Sequence, residues 1–236
     1  MSEKACARTQ RLIGRAGVVN LASRHVLIAG LGGVGGHVAE ALARAGVGTL
    51  TLVDDDVVSP SDLNRQIIAL QSTLGRDKVD VCAQRILDIN SELELRLKPQ
   101  RIGADNARSL VEETPVDFVA DCIDSVRDKA ALLAACLETD TAVISSMGSA
   151  GRLDPTRVGI TRLNRTHTDG LARAVRKRLK ELGVAPRVPV VFSDELPRKN
   201  GPGNAGGGTL SYMPAVFGLM QAGYIVRELL GDRGQL

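Results

Sequence analysis

Tryptophan is absent from these 236 residues, and only two tyrosines and three phenylalanines are present. With so few large rings, Val, Leu, Ile and Ala must fill the core of a chain that is 44% hydrophobic, and little is left for stacking a nucleobase. The four cysteines, Cys6, Cys82, Cys122 and Cys136, contain no C-x-x-C pair. That excludes a zinc ribbon or a dithiol redox motif, and isolated thiols fit a reducing cytoplasm. The opening MSEKACARTQRLIG has no apolar core of the secretory type, so no signal peptide is expected. The longest apolar stretch, near 214–230, is interrupted by Gln221, Arg227 and Glu228 and reads as a buried helix rather than a membrane span. Strong charge of either sign is missing too. A net charge of +3 permits an anionic ligand or nucleic acid without demanding one. The expectation is a cytoplasmic protein with no membrane partner.

What the chain does have is alternation. HVLIAG reads as a strand, GGHVAEALARAG as a helix stopped by Gly46, and TLTLVD as the next strand. DKVDVCAQRILDIN carries apolar residues at helical spacing, and LELRLKP is extended. VDFVADCID, SVRDKAALLAACLE and TAVISS repeat strand, helix, strand. This order predicts an α/β fold: a Rossmann-like doubly wound sheet, mainly parallel, with helices on both faces. Beyond Ser146 the alternation loosens. GSAGRLDPTRVGITRL predicts turns and a hairpin adding antiparallel edge strands to the C-terminal part. DGLARAVRKRLKELG predicts an amphipathic helix capped by Asp169, with Leu171, Val175, Leu179 and Leu182 on its apolar face. PRKNGPGNAGGG has the composition of a mobile loop, and YMPAVFGLMQAGYIVRELLG predicts a final helix ended by Gly231. No linker splits the chain. It reads as a single domain, with a helical arm over 1–24, a nucleotide-binding core over 25–150, and a substrate-side extension with the last helix over 151–236.

The core takes its name from residues 28–46, IAGLGGVGGHVAEALARAG, which place Gly30, Gly32 and Gly35 in the G-x-G-x-x-G register. Glycines there let backbone N–H groups and a helix N-terminus approach a phosphate, of NAD or of ATP alike. Asp54 follows Gly35 by about 20 residues, where a carboxylate accepts from ribose hydroxyls. Arg65 and Lys78 lie just beyond. They read either as solvated cations or as the charges that neutralise a triphosphate and its leaving pyrophosphate. Asp124 sits at the C-terminal end of a later strand, where open α/β sheets bind ligands. It can hold Mg²⁺, or cap the helix that begins at Ser125.

These segments carry a family resemblance. GLGGVGG, LVDDD, LNRQ, GRDK and DCID occur in the order and approximate spacing of the ATP-dependent adenylating superfamily, over roughly residues 8–150. That superfamily includes the molybdopterin and thiamine adenylyltransferases and the ubiquitin-activating enzymes. The resemblance implies that Gly30, Gly32, Gly33, Gly35, Asp54 and Asn64 serve the ATP site, Gly33 supplying the family's extra glycine. It also implies that Arg65 and Lys78 act on the phosphates, that Asp124 holds Mg²⁺, and that Arg11 reaches a triphosphate across a homodimer interface. One position departs from the pattern. Asp62 stands where the family carries asparagine, an awkward charge beside a triphosphate unless it faces Arg65 or the metal.

The second half resembles the branch that dehydrates threonylcarbamoyladenosine in tRNA, on SSMGSAGRLDPTRV, TDGLARAVRKRLKELGV, VVFSDELPRK and SYMPAVFGLMQAGYIVRELL. The implied activity is adenylation of the threonylcarbamoyl carboxylate by ATP, followed by ring closure that releases AMP and pyrophosphate. The substrates are then tRNA and ATP, with Mg²⁺. The alternative is an adenylyltransferase acting on the C-terminus of a small sulfur-carrier protein, with a sulfur-relay partner. Arg173, Arg176, Lys177, Arg178 and Lys180 offer a cationic helix face for tRNA phosphates, or an ordinary solvated one. His167 precedes that helix as a further polar candidate. Residues 199–208, where relatives of that branch carry a longer cysteine-bearing insert, transfer no role.

Overall fold

The computed structural model describes residues 4–113, 115–198 and 208–232. The glycine-rich segment read above as a mobile loop therefore falls mostly outside the described residues. Along the chain the elements are α1 (Ala7–Ala22), β1 (His25–Ala29), α2 (Gly35–Ala45), β2 (Thr49–Val53), α3 (Lys78–Ile89), β3 (Glu94–Lys98) and α4 (Ala107–Glu112). They continue as β4 (Phe118–Asp121), α5 (Val126–Glu138), β5 (Val143–Ser146), β6 (Val158–Arg162), α6 (Gly170–Glu181), β7 (Pro189–Ser193) and α7 (Tyr212–Leu229).

Seven strands form one sheet in the order β3-β2-β1-β4-β5-β7-β6. Every pairing is parallel except β6 with β7. The expected doubly wound sheet with an antiparallel edge is therefore present. Its antiparallel pair is not the local hairpin expected from GSAGRLDPTRVGITRL, because β6 pairs in register Gly159–Phe192 with a strand that follows α6. The sheet buries both faces. Val26 and Ile28 of β1 pack with α2, α3 and α7, while Leu27 and Ala29 pack with α4, α5 and α6. Such two-sided burial explains why β1 is an unbroken apolar run rather than an alternating one.

The helices end where the sequence places the stops. Gly46 closes α2 in the left-handed conformation at φ 94°, its N–H bonded to Ala43 and Leu42. Asp169 caps α6, accepting from Ala172 N at 2.8 Å. On α6, Val175 and Leu179 are buried as expected, but Leu182 is 43% exposed because the helix ends before it. The N-terminal arm is helical with a break at Gly14, where φ is 73° and ψ 170°. Its second half is tied to the last helix by Asn20 Nδ2, which donates to Leu229 O. None of the described helices is long and apolar enough to cross a membrane.

Candidate functional site

Strand order reverses between β1 and β4, with β1-β2-β3 running one way and β4-β5-β7 the other. At such a switch point the loops leaving the strands diverge and open a crevice above their C-terminal ends. The crevice here encloses about 590 Å³. Gly30, Gly32 and Gly33 line it from the β1 turn, Asp54, Asp55 and Asp56 from the end of β2, and Gln100 to Ile102 from beyond β3. Asp124 and Ser125 line it after β4, and Ser146 to Ala150 after β5. Asp62, Arg65, Gln66 and Lys78 close one wall.

The glycine turn is dictated by space. Gly30 has φ 88°, a conformation that L side chains rarely adopt. A Cβ on Gly35 would lie 1.7 Å from Gly30 O, so only hydrogen lets α2 start this close to β1. Gly35 thus shapes the turn without lining the cavity. Gly35→Ala is expected to cost about 3 kcal/mol or more and to abolish nucleotide binding. A thermal melt combined with ATP titration checks both.

Asp54 is tied to that turn. Its carboxylate accepts from Leu31 N at 2.5 Å and from Asp56 N at 2.9 Å. Burial pushes its pKa above the usual carboxylate value, and the two amides pull it back. Asp54, Asp55 and Asp56 bring their carboxylate oxygens within 4.8 Å of one another. Lys78, only 6% exposed, answers this acidic cluster by donating to Asp56 Oδ2 at 2.8 Å.

Asp62 is resolved by its surroundings. It is 5% exposed and accepts from Ser59 N at 2.9 Å, Ser59 Oγ at 3.0 Å and Gln66 Nε2 at 2.7 Å. Arg65 Nη2 pairs with it at 3.3 Å. The acid therefore sits beneath the arginine and holds it, the arrangement in which its charge is tolerable. Arg65 Nη1 also donates to Ser61 O at 2.7 Å and Asn64 Oδ1 at 3.0 Å. Asn64 lies outside the cavity lining and donates through Nδ2 to Thr209 O. Because the ionised Asp62 only accepts, the Gln66 amide must present Nε2 to it. That leaves Gln66 Oε1 buried with no partner among the described residues.

Asp124 is exposed and carries no hydrogen bond or ion pair among the described residues. It does not cap α5, whose N-cap is Ser125. Arg11 is exposed on the first half of α1 and does not line this chain's cavity. His167 packs edge-on against Phe192 and also stands outside the lining. On α6, Arg173, Lys177, Arg178 and Lys180 are exposed, with Lys177 and Arg178 paired to Glu181. Arg176 leaves that face. It turns inward to Leu163 O, Thr166 O and the Thr166 hydroxyl, which no periodicity could reveal.

Beneath the site lies a polar cluster absent from the sequence reading. Lys129 and Asp121, both fully buried, pair at 2.8 Å, and Ser145 Oγ donates to Asp121 at 2.6 Å. Gln221 of α7 donates to Asp121 O at 3.2 Å and to Ile144 O at 2.8 Å. Cys122 lines the cavity with its thiol toward Gln221 Oε1. Burial pushes the Cys122 pKa well up, and that of Cys82 to about 12, so both are neutral thiols near pH 7.

Comparison with known proteins bears on the fold and the family. Residues 6–236 match the model of the ThiF family. The chain is 37% identical to the tRNA threonylcarbamoyladenosine dehydratase of Bacillus subtilis, over 96% of this chain and 94% of that one. The Escherichia coli protein of the same name is 39% identical over 79% of this chain and 72% of its own length. The crystal structure of the E. coli dehydratase, TcdA, in complex with ATP superposes with a TM-score of 0.92 at 34% identity, over 98% and 95% of the two chains.

Proposed function

Because the chain belongs to the ThiF family, we propose that it is an ATP-dependent dehydratase that cyclises threonylcarbamoyladenosine in tRNA. The observation that carries this reading is a single cavity lined together by the glycine turn, Asp54, Arg65, Lys78 and Asp124. The triphosphate lies along the turn at the N-terminus of α2, and Asp54 receives the ribose hydroxyls. Arg65, braced by Asp62 and Asn64, and Lys78 offset the charge that builds on the departing pyrophosphate. Arg11, exposed and outside its own cavity, fits delivery to the neighbouring protomer's triphosphate in a homodimer.

The donors present suit Mg²⁺. Among the described residues, Asp124 offers a carboxylate with no hydrogen bond or ion pair, and Gln66 Oε1 is a buried oxygen without a partner. When bound, the ion supplies charge neutralisation to the phosphate oxygens. Once the carboxylate carries AMP, the neighbouring carbamoyl group closes the ring as AMP leaves. Both reacting groups belong to one substituent, so positioning and charge stabilisation suffice. The exposed cations of α6 provide a track for tRNA phosphates. A cytoplasmic location matches this substrate. The sulfur-carrier alternative is disfavoured by the missing C-x-x-C pairs.

Incubation with ATP and threonylcarbamoyl-modified tRNA should yield AMP, pyrophosphate and the cyclised nucleoside. Pyrophosphate release unaffected by that tRNA would overturn the reading. No thiol takes part, so Cys122→Ser is expected to keep AMP formation within about threefold of the parent. A larger loss in the same assay would revive a cysteine nucleophile.

A further inference from the structure

The residues placed on ATP occupy the part of the cavity over β1, β2 and β4, whereas the part over β5 has a chemistry of its own. Ser146 ends β5, is 4% exposed and lines the cavity, and its Oγ has no hydrogen-bond partner among the described residues. Its neighbour Ser145 shows the contrast. Pointing to the opposite face of the sheet, Ser145 Oγ donates to Asp121 and accepts from Lys129 at 3.1 Å. Buried hydroxyls are normally paired, and an unpaired one on a residue that lines a cavity, a rotamer turn from its interior, is the kind of exception a ligand explains.

The turn after Ser146 is built to stay in place. Gly148 N donates to Asp169 Oδ2 at 3.1 Å, and Arg152 donates to the same oxygen at 3.1 Å. That ion pair is almost fully buried, and Asp169 is also the cap of α6. The lining from Ser146 to Ala150, with Leu171, contains hydroxyls and apolar groups but no charged side chain. A neutral, hydroxyl-bearing wall suits an uncharged acyl group rather than a phosphate.

We propose that Ser146 is an acyl-binding residue, whose hydroxyl donates a hydrogen bond to the acyl oxygen of the adenylated carboxylate. The inference rests on the preceding reading, which places AMP over the glycine turn and a threonylcarbamoyl group beyond it. With AMP there, the acyl group extends toward β5, and Ser146 holds its carbonyl in the orientation from which the ring closes.

The test compares two probes by calorimetry on the full chain. One is AMP. The other is a hydrolysis-resistant acyl-sulfamoyl adenosine that carries N-carbamoylthreonine in place of the mixed anhydride. Ser146→Ala is expected to weaken the acyl mimic about tenfold and to leave AMP within about twofold of the parent. Without ligand its melting temperature should equal or exceed that of the parent, because an unpaired buried hydroxyl has been removed. Equal effects on both probes, no effect on either, or a lower melting temperature would each overturn the assignment. Failure of the parent to act on modified tRNA would instead remove the dehydratase reading, while the ratio of the two affinities still decides the role of Ser146.

Discussion

Asp124→Asn is expected to lower AMP formation by about 100- to 1,000-fold while leaving the melting temperature unchanged. The two halves of this expectation come from the same fact. Of the other carboxylates at or below the cavity, all but the exposed Asp55 are committed among the described residues, Asp56 to Lys78. Asp54 holds two backbone amides, Asp62 braces Arg65, Asp121 is paired with Lys129, and Asp128 accepts from Arg101 at 2.7 Å. Asp124 likewise forms no hydrogen bond or ion pair among the described residues and feels the exposed Arg101 only through a solvent-screened field, so asparagine forfeits little in folding. A free carboxylate beside a bound triphosphate repels it unless a cation stands between them. Asparagine keeps the shape and removes the charge. Pyrophosphate release measured across a Mg²⁺ titration should therefore show a reduced maximum rate and a raised metal requirement. Normal turnover would take Asp124 out of the site.

The largest loss of stability is expected from Lys129→Met, at about 3–5 kcal/mol. The side chains of Lys129 and Asp121 are both 0% exposed, and they bond at 2.8 Å. Methionine would leave the Asp121 charge with Ser145 Oγ and Ile123 N as its remaining partners, neither of them charged. For a chain of this size such a loss lowers the melting temperature by about 10 °C or more. Adding Asp121→Asn removes the stranded charge and should recover a large part of it. A double-mutant cycle in urea reads this coupling directly. A single variant as stable as the parent would show that the pair contributes nothing net. Because Asp121 lies three residues before Asp124, the single variant should also impair catalysis at temperatures where it remains folded.

The sheet was legible because its strands are short apolar runs separated by helices of clear 3.6-residue period, and Gly46 and Asp169 mark helix ends by chemistry that acts locally. The pairing of β6 was not legible. Its partner lies beyond α6, so the contact leaves no trace in the local pattern from which a hairpin is inferred. Arg176 and Asp62 show the same limit for side chains. Spacing places a residue on a face, but an inward turn to Leu163 O or a bed beneath Arg65 depends on atoms distant in sequence or on a particular rotamer. The Asp121–Lys129 pair gave one faint signal, an acid ending an apolar strand with a lysine eight residues on. Acid and base at such places are read as solvent-facing by default. Likewise Ser145 and Ser146 look equivalent in TAVISS and are separated only by which face of the sheet each meets.

Gln221 holds the ends of β4 and β5 together, and these bonds close loops of 100 and 77 residues. Asn20 reaches α7 across 209 residues. Contacts of such long range are costly in chain entropy and tend to form late in folding. The wall over β5 is thus fastened by a helix from the far end of the chain, whereas β1, β2 and β3 pair with near neighbours in sequence. Local undocking of α7 is therefore expected to cost the site its β5 wall while that half of the sheet persists.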